Sequence, residues 1–142
     1  MKITNESMYN ELSVFGTEVV NPVYCSIADF SGFLSSGRPT NWGFLATDSR
    51  EDRLYLTVHS LVETLAGTGG SYTTIYQMTV EKLKVTKALL LGSYTIDIKY
   101  RSDGKKYRHK FTIATKCGTE LTEQQSNAHN LVNMLRRWES SL

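Results

Sequence analysis

The order of apolar and polar residues along this chain changes its period twice. Near the N-terminus, apolar residues recur at spacings of four and three, the period of one helix face: Met8, Leu12 and Phe15. Asn5 is a residue type that caps helix starts, and Gly16 stands where helix ends favour glycine. The pattern predicts a short helix over about residues 6–15.

Residues 16–114 follow a period near two instead, and β-branched and aromatic residues are frequent there. Pro22 lacks an amide donor, so the first of these stretches is predicted to be an edge or bulged strand. Glycine- and serine-rich segments at 31–41 and 66–71 are predicted loops. Further strands are predicted at 42–47, 54–59, 72–80, 83–90 and 94–100, and the 54–59 strand is expected to have one buried face.

The clearest local signal is a hairpin over residues 94–114. In both arms apolar and charged residues alternate, and Ser102, Asp103 and Gly104 supply the turn between them. Period-two alternation over both arms indicates an antiparallel pair with one buried and one exposed face.

After residue 119 the period returns to that of a helix. Thr122 and Gln125 match a capping box. Apolar residues then follow one helical stripe, which predicts a helix over about residues 123–140. The stripe consists of Ala128, Leu131, Val132, Leu135, Trp138 and Leu142.

The strands are joined by connections too short for parallel crossovers, so the sheet is predicted to be antiparallel. The expected fold class is α+β, mostly β: an antiparallel partial barrel of about seven strands. A C-terminal helix is expected to cap the open end of the bent sheet, and a short N-terminal helix precedes it. The predicted organisation is the short helix in residues 1–16 and a single domain in residues 17–142.

Several segments together carry a resemblance to a known superfold: residues 43–47, 53–58 and 78–85, the Asp103-Gly104 turn, and a last helix with Leu131, Leu135 and Trp138. In this order they resemble the pleckstrin-homology (PH)-like superfold, including the bacterial PH and GRAM-type families. PH domains commonly carry a tryptophan in the last helix, and Trp138 matches it. The resemblance covers about residues 17–141 and implies a PH-like partial barrel.

Two features depart from the PH pattern. The helix before the first strand is extra, and the loop at 31–41 contains one basic residue, Arg38. Phosphoinositide-binding PH domains place several basic residues in that loop, so the resemblance does not imply that activity for this chain.

The chain's 142 residues suit one domain, and a net charge of +2 does not indicate nucleic acid by itself. No apolar segment of signal or membrane-spanning length is visible, so a cytoplasmic location, bacterial or phage, is expected. Its two cysteines, Cys25 and Cys117, predict no disulfide framework and are expected to be small buried residues.

The sequence offers little support for catalysis, metal binding or a cofactor. His59, His109 and His129 are widely separated, and His109 is expected on the inner face with a hydrogen-bond partner. The glycine-rich loop at 67–71 lacks the lysine of a phosphate-binding loop. The acidic turn with Asp48, Glu51 and Asp52 lacks the spacing of a calcium loop, and Cys117 has no clear base beside it. We therefore expect no catalytic, metal or cofactor residues and a protein that is not an enzyme.

Charge is distributed unevenly, since residues 95–142 contain nine basic and five acidic side chains. The alternation places five basic residues of the hairpin on one outward face, where they could attract anionic lipid or phosphate or only keep the face soluble. Nucleic acid is less favoured, because the hairpin aromatics have the opposite parity. These five candidates are Lys99, Arg101, Lys106, Arg108 and Lys110.

Three hypotheses about function follow. The first is a non-enzymatic PH-like binding module that acts through protein contacts, in loops or on an exposed strand edge, with a homo-oligomer as one possibility. The second is weak peripheral attachment to anionic lipid or phosphate through the basic hairpin. The third is a small enzyme with a site at the barrel mouth.

Overall fold

The computed structural model describes residues 3–16, 18–29, 41–60, 71–88, 92–116 and 120–142. Within these ranges the chain forms one seven-stranded antiparallel sheet between two helices, which confirms the predicted fold class. The predicted loop at 31–41, the glycine-rich loop, the end of the 83–90 strand and Cys117 lie wholly or mostly outside the described residues.

The sheet has the strand order β4-β3-β2-β1-β7-β6-β5, so β1 is central and β4 and β5 form its two edges. Asp103 and Gly104, both with positive φ, form the turn of the predicted hairpin between β6 and β7. The elements are α1 Asn5–Leu12, β1 Val19–Asp29, β2 Asn41–Asp48, β3 Arg53–Ser60, β4 Ser71–Tyr76, β5 Val80–Ala88, β6 Ser93–Ser102, β7 Lys105–Ala114 and α2 Gln124–Ser140, with short 3-10 turns at Ser13–Phe15 and Gln77–Thr79.

Helix α2 fills the concave side of the bent sheet, as the apolar stripe predicted. Leu131 and Leu135 are fully buried, and Trp138 is 3% exposed, in a cluster with inward residues from all seven strands. Trp138 also donates its indole N–H to the Glu51 carbonyl in the β2–β3 turn, at 3.1 Å. Leu142, expected on the same stripe, is instead exposed, because the helix ends at Ser140.

Helix α1 covers the opposite, convex side of β1, β2 and β3 and builds a second apolar cluster there. Met8 and Leu12 are buried against Phe44 and Tyr55. The prediction that β3 has one buried face is therefore wrong: Tyr55, Thr57 and His59 are buried too. The alternation along β3 does not reveal that its second face is covered by a helix whose contacting residue, Glu11, lies 46 residues before Thr57.

A carboxylate from α1 fixes the helix to this face. Glu11 accepts a hydrogen bond from the Thr57 hydroxyl at 2.9 Å and contacts the His59 ring nitrogen Nε2 at 2.6 Å. The indole of Trp42 stacks on the His59 ring at 4.3 Å. His59 thus has a structural role between α1 and β2.

Pro22 lies in a bulge of β1, where the register to β2 shifts between Val20 and Val23. The strand is bulged as predicted, but it is central rather than an edge. The bulge is tolerated because α2 satisfies the backbone groups around it: Asn127 donates to the Pro22 carbonyl at 3.0 Å. Buried Gln124 donates to the Tyr24 and Ala114 carbonyls and accepts from the Tyr24 amide.

The helix caps differ from those expected. Thr4, not Asn5, caps α1, in a capping box with Ser7. Helix α2 starts at Gln124 without a side-chain cap, so the proposed Thr122–Gln125 box is wrong. Gln124 instead points into the sheet, which stabilises this helix end through tertiary hydrogen bonds.

Replacing Trp138→Ala should lower the free energy of unfolding by about 3–5 kcal/mol, because it leaves a cavity in the inner core and removes the bond to the β2–β3 turn. Urea denaturation measures the loss. Gln125→Ala, on the exposed side of the same helix, should change it by less than about 0.5 kcal/mol. A loss below about 1 kcal/mol for Trp138→Ala would contradict the packing described here.

Candidate functional site

The outer surface of β5, β6 and β7 carries most of the chain's clustered positive charge. Paired strand residues point to the same side of a sheet, so the register defines rows across the three strands. One row is Lys82, Lys99 and Arg108; the next is Lys84, Asp97 and Lys110. Arg101 and Lys106 form a third pair toward the hairpin turn. We call the set of seven basic residues the basic face: Lys82, Lys84, Lys99, Arg101, Lys106, Arg108 and Lys110.

Both arginines of the basic face are engaged by carboxylates. Arg108 donates from Nε and Nη2 to the two oxygens of Asp97, at 3.0 and 2.6 Å. Arg101 donates from Nε to Glu81, which lies at the bulge of β5. Their positive charges are therefore largely compensated by neighbours.

The five lysines of the basic face differ from the arginines. Among the described residues, none of them has an ion pair or side-chain hydrogen bond within the protein. Lys82, Lys84 and Lys106 are exposed, and Lys99 and Lys110 are half-buried in the sheet surface. This face thus presents several lysines without a direct ion-pair partner among the described residues.

The hydrogen bonds from Arg108 lower the pKa of the Asp97 carboxyl below its usual range, although partial burial acts in the opposite direction. The charges of Lys99 and Lys110 lower this pKa further. Asp97 is therefore ionised at neutral pH and offsets part of the positive charge in the centre of the face.

Two adjoining surface hollows lie on this face, with volumes of about 460 and 430 Å³. The first lies toward the hairpin turn and includes Lys106 and Tyr107; the second lies toward the end of α2 and includes Glu139. Their shared lining residues are Glu81, Lys82, Lys99 and Arg108. The middle row of cations is therefore the part of the face where a ligand would contact both hollows.

All five basic residues singled out from the sequence lie on this one face. Lys82 and Lys84 were not among them: Lys82 fell between the strands predicted at 72–80 and 83–90, whereas in the structure β4 ends at Tyr76 and β5 begins at Val80, with a bulge before Lys82. The later alternation of Lys82, Leu83 and Lys84 was the signal that could have revealed them.

The remaining candidate residues are histidines and the carboxylates of the acidic turn, and most of them have partners within the fold. His109 contacts the Tyr100 hydroxyl through Nε2 at 3.0 Å, in line with the expected partner on the inner face, and His129 is exposed. In the acidic turn, Asp48 is buried and accepts hydrogen bonds from Arg50, and Asp52 pairs with Arg53. In the part of the chain that the structure describes, no cluster of three or more metal-ligand side chains occurs.

Sequence comparisons add nothing to these observations: no protein-family model matches the chain, and no curated protein matches it by sequence. The described helices include none long and apolar enough to cross a membrane.

A solved structure with a similar fold is the hSac2 domain from the human phosphoinositide phosphatase Sac2. The two superpose with a TM-score of 0.52 over 99% of this chain and 86% of that chain, at 12% sequence identity. A similarity at this identity shows a shared fold alone, and it agrees with the seven-stranded antiparallel arrangement described above.

The Asp97–Arg108 pair generates a testable pH dependence. Because the pKa of Asp97 is lower in the folded than in the unfolded protein, the pair contributes fully above the ordinary carboxyl pKa of 3.8 and is lost as pH falls through the folded value. Asp97→Asn should therefore lower the free energy of unfolding at pH 7 more than at acidic pH. Urea denaturation across pH measures this, and a pH-independent difference would contradict it.

Proposed function

We propose that this protein is a non-enzymatic PH-like binding module that attaches through its basic face to phosphate-bearing anionic surfaces, above all anionic lipid. The observation that carries the proposal is the middle row, where Lys82, Lys99 and Arg108 lie directly beside one another on adjacent strands.

Like charges on directly paired strand positions destabilise a sheet. A surface needed only for solubility would be served as well by interspersed charges of both signs. On the basic face, carboxylates compensate the two arginines, while the lysines have no such partner among the described residues. An anionic ligand that bridges the row would offset the repulsion, so the arrangement favours a binding role.

The shape of the face favours a surface over a deep pocket. The two hollows are open to solvent and share Lys82 and Lys99. Basic residues near an anionic membrane contribute roughly 1 kcal/mol each. The proposed attachment is therefore electrostatic, weak and little selective among head groups. Lipid phosphate and free phosphate share the recognising chemistry, and the experiment below includes both.

The similarity to a domain of a phosphoinositide phosphatase is compatible with this proposal, since that protein acts on phosphorylated lipid by its name. The shared fold does not by itself assign that activity to this chain. We propose a binding role without catalysis, because His59 and His109 hydrogen-bond within the fold and Asp97 forms an ion pair with Arg108.

Vesicle co-sedimentation tests the proposal. The wild-type protein should bind phosphatidylserine vesicles at about 50 mM salt, not phosphatidylcholine vesicles, and should be released as salt rises and the Debye length shortens. The double variant Lys82→Glu/Lys99→Glu should bind at least about tenfold more weakly, because it reverses two charges of the row.

The matched control is Lys87→Glu/Lys116→Glu, which changes net charge equally at exposed positions off the basic face. This control variant should retain most of the wild-type binding to phosphatidylserine vesicles. Inorganic phosphate, titrated into the vesicle mixture, should release the wild-type protein if free phosphate competes for the same lysines. Equal losses in both double variants would show that net charge alone matters and would contradict the proposed site.

A further inference from the structure

The two edges of the sheet are protected very differently. Exposed edge strands usually carry charges or bulges, which prevent pairing with another chain. Strand β5 has Lys82, Lys84 and a bulge, and Glu139 of α2 accepts a hydrogen bond from its Val85 amide. Strand β4, with the sequence SYTTIY, contains no charged residue, no proline and no bulge. Among the described residues, β4 is the unprotected edge.

The hydrogen-bonding pattern between β3 and β4 identifies which backbone groups of β4 point away from β3. The Gln77 amide donates to the Asp52 carbonyl at 2.9 Å, in register with the β3–β4 pairing. Hydrogen-bonded pairs alternate along an antiparallel ladder, so Thr73 and Ile75 bond to β3, and Tyr72 and Thr74 point their backbone groups outward. The Tyr76 carbonyl points outward too but accepts from the Thr79 hydroxyl.

A groove of about 420 Å³ adjoins this free edge. Its lining comes from β4, from Leu56 and Val58 of β3, and from Tyr107 and His109 of β7. Tyr107 has the strand parity of the buried Phe111, but it is 37% exposed. Among the described residues, β7 pairs with β1 over His109 to Thr112, so Tyr107 has no described β1 partner beside it.

We propose that this groove binds an extended segment of a partner protein, which adds as a strand to the free edge of β4. Pairing with the outward groups of Tyr72 and Thr74 supplies backbone hydrogen bonds, and one apolar side chain contacts Leu56 and Val58. Beside the groove, Lys105 of the hairpin is exposed; it pairs with Ser102, which lines the groove, and it has the same strand parity as Tyr107. The segment therefore carries an uncharged β-branched stretch flanked by acidic residues.

A second copy of the chain fits this edge less well than a separate segment. The β4 strand of a second copy contains no acidic residue that could meet Lys105. Both copies would also bring the same basic hairpin end, so their charges would not be complementary. The groove shares Tyr100 and Tyr107 with one hollow of the basic face, but the proposal does not depend on the function proposed for that face.

The test uses the acetylated, amidated peptide Glu-Glu-Thr-Val-Thr-Val-Thr at millimolar concentration, titrated into the full-length protein and followed by amide NMR. We expect saturable shifts at Tyr72 and Thr74. A twin peptide that is N-methylated throughout its Thr-Val repeat keeps the side chains but cannot pair, so it should cause no such shifts. Thr74→Ala, which keeps the amide, should bind like wild type, and Thr74→Pro should bind about tenfold more weakly or worse.

If Thr74→Pro fails to fold, hydrogen exchange of the Tyr72 and Thr74 amides in the wild-type protein replaces it, and the peptide should slow both. Shifts confined to Lys99 and Arg108 would mean that the peptide acts as a polyanion on the basic face, which would overturn the proposal. Equal binding of the N-methylated twin, or shifts at Tyr72 that grow with protein concentration alone, would overturn it as well.

Discussion

Side chains of a strand alternate between two faces, so this sheet has two surfaces, and the fold is decided by what covers each. Helix α2 fills the concave side with Leu131, Leu135 and Trp138. Helix α1 covers the convex side of β1–β3 only. The convex side of β5–β7 has no helix over it among the described elements, and that is where the lysines lie. The candidate site is thus the part of the sheet surface that the core does not use.

The fold could be predicted where the deciding interactions are local. The β6–β7 hairpin follows from its turn and its strict alternation, and α2 from its apolar stripe, because both patterns lie within one segment. Prediction failed where the partner is remote in sequence. The burial of Thr57 and His59 depends on Glu11 of α1, and the central place of β1 despite Pro22 depends on Asn127 of α2.

The same distinction between local and remote interactions explains which parts of the candidate site could be predicted. Parity within the hairpin was sufficient to place Lys99 and Arg108 on one surface, but it could not show that Lys82 is their neighbour, because the register between β5 and β6 follows a bulge. Hairpin parity also could not show which of these cations form ion pairs with carboxylates. Asp97 is held by Arg108 through two hydrogen bonds, and this leaves the adjacent lysines to define the charge of the surface. The unprotected edge at β4 likewise depends on strand order, which no local pattern encodes.

The central claim is that the row of Lys82, Lys99 and Arg108 is held against its own repulsion, and the stability of Lys99→Gln tests it most directly. Urea denaturation at about 10 mM salt should show the variant more stable than wild type by a few tenths of a kcal/mol to about 1 kcal/mol. The gain should shrink at about 1 M salt, where the Debye length is near 3 Å. A variant that is less stable than wild type at low salt would contradict the account, because Lys99 would then be part of what stabilises the sheet.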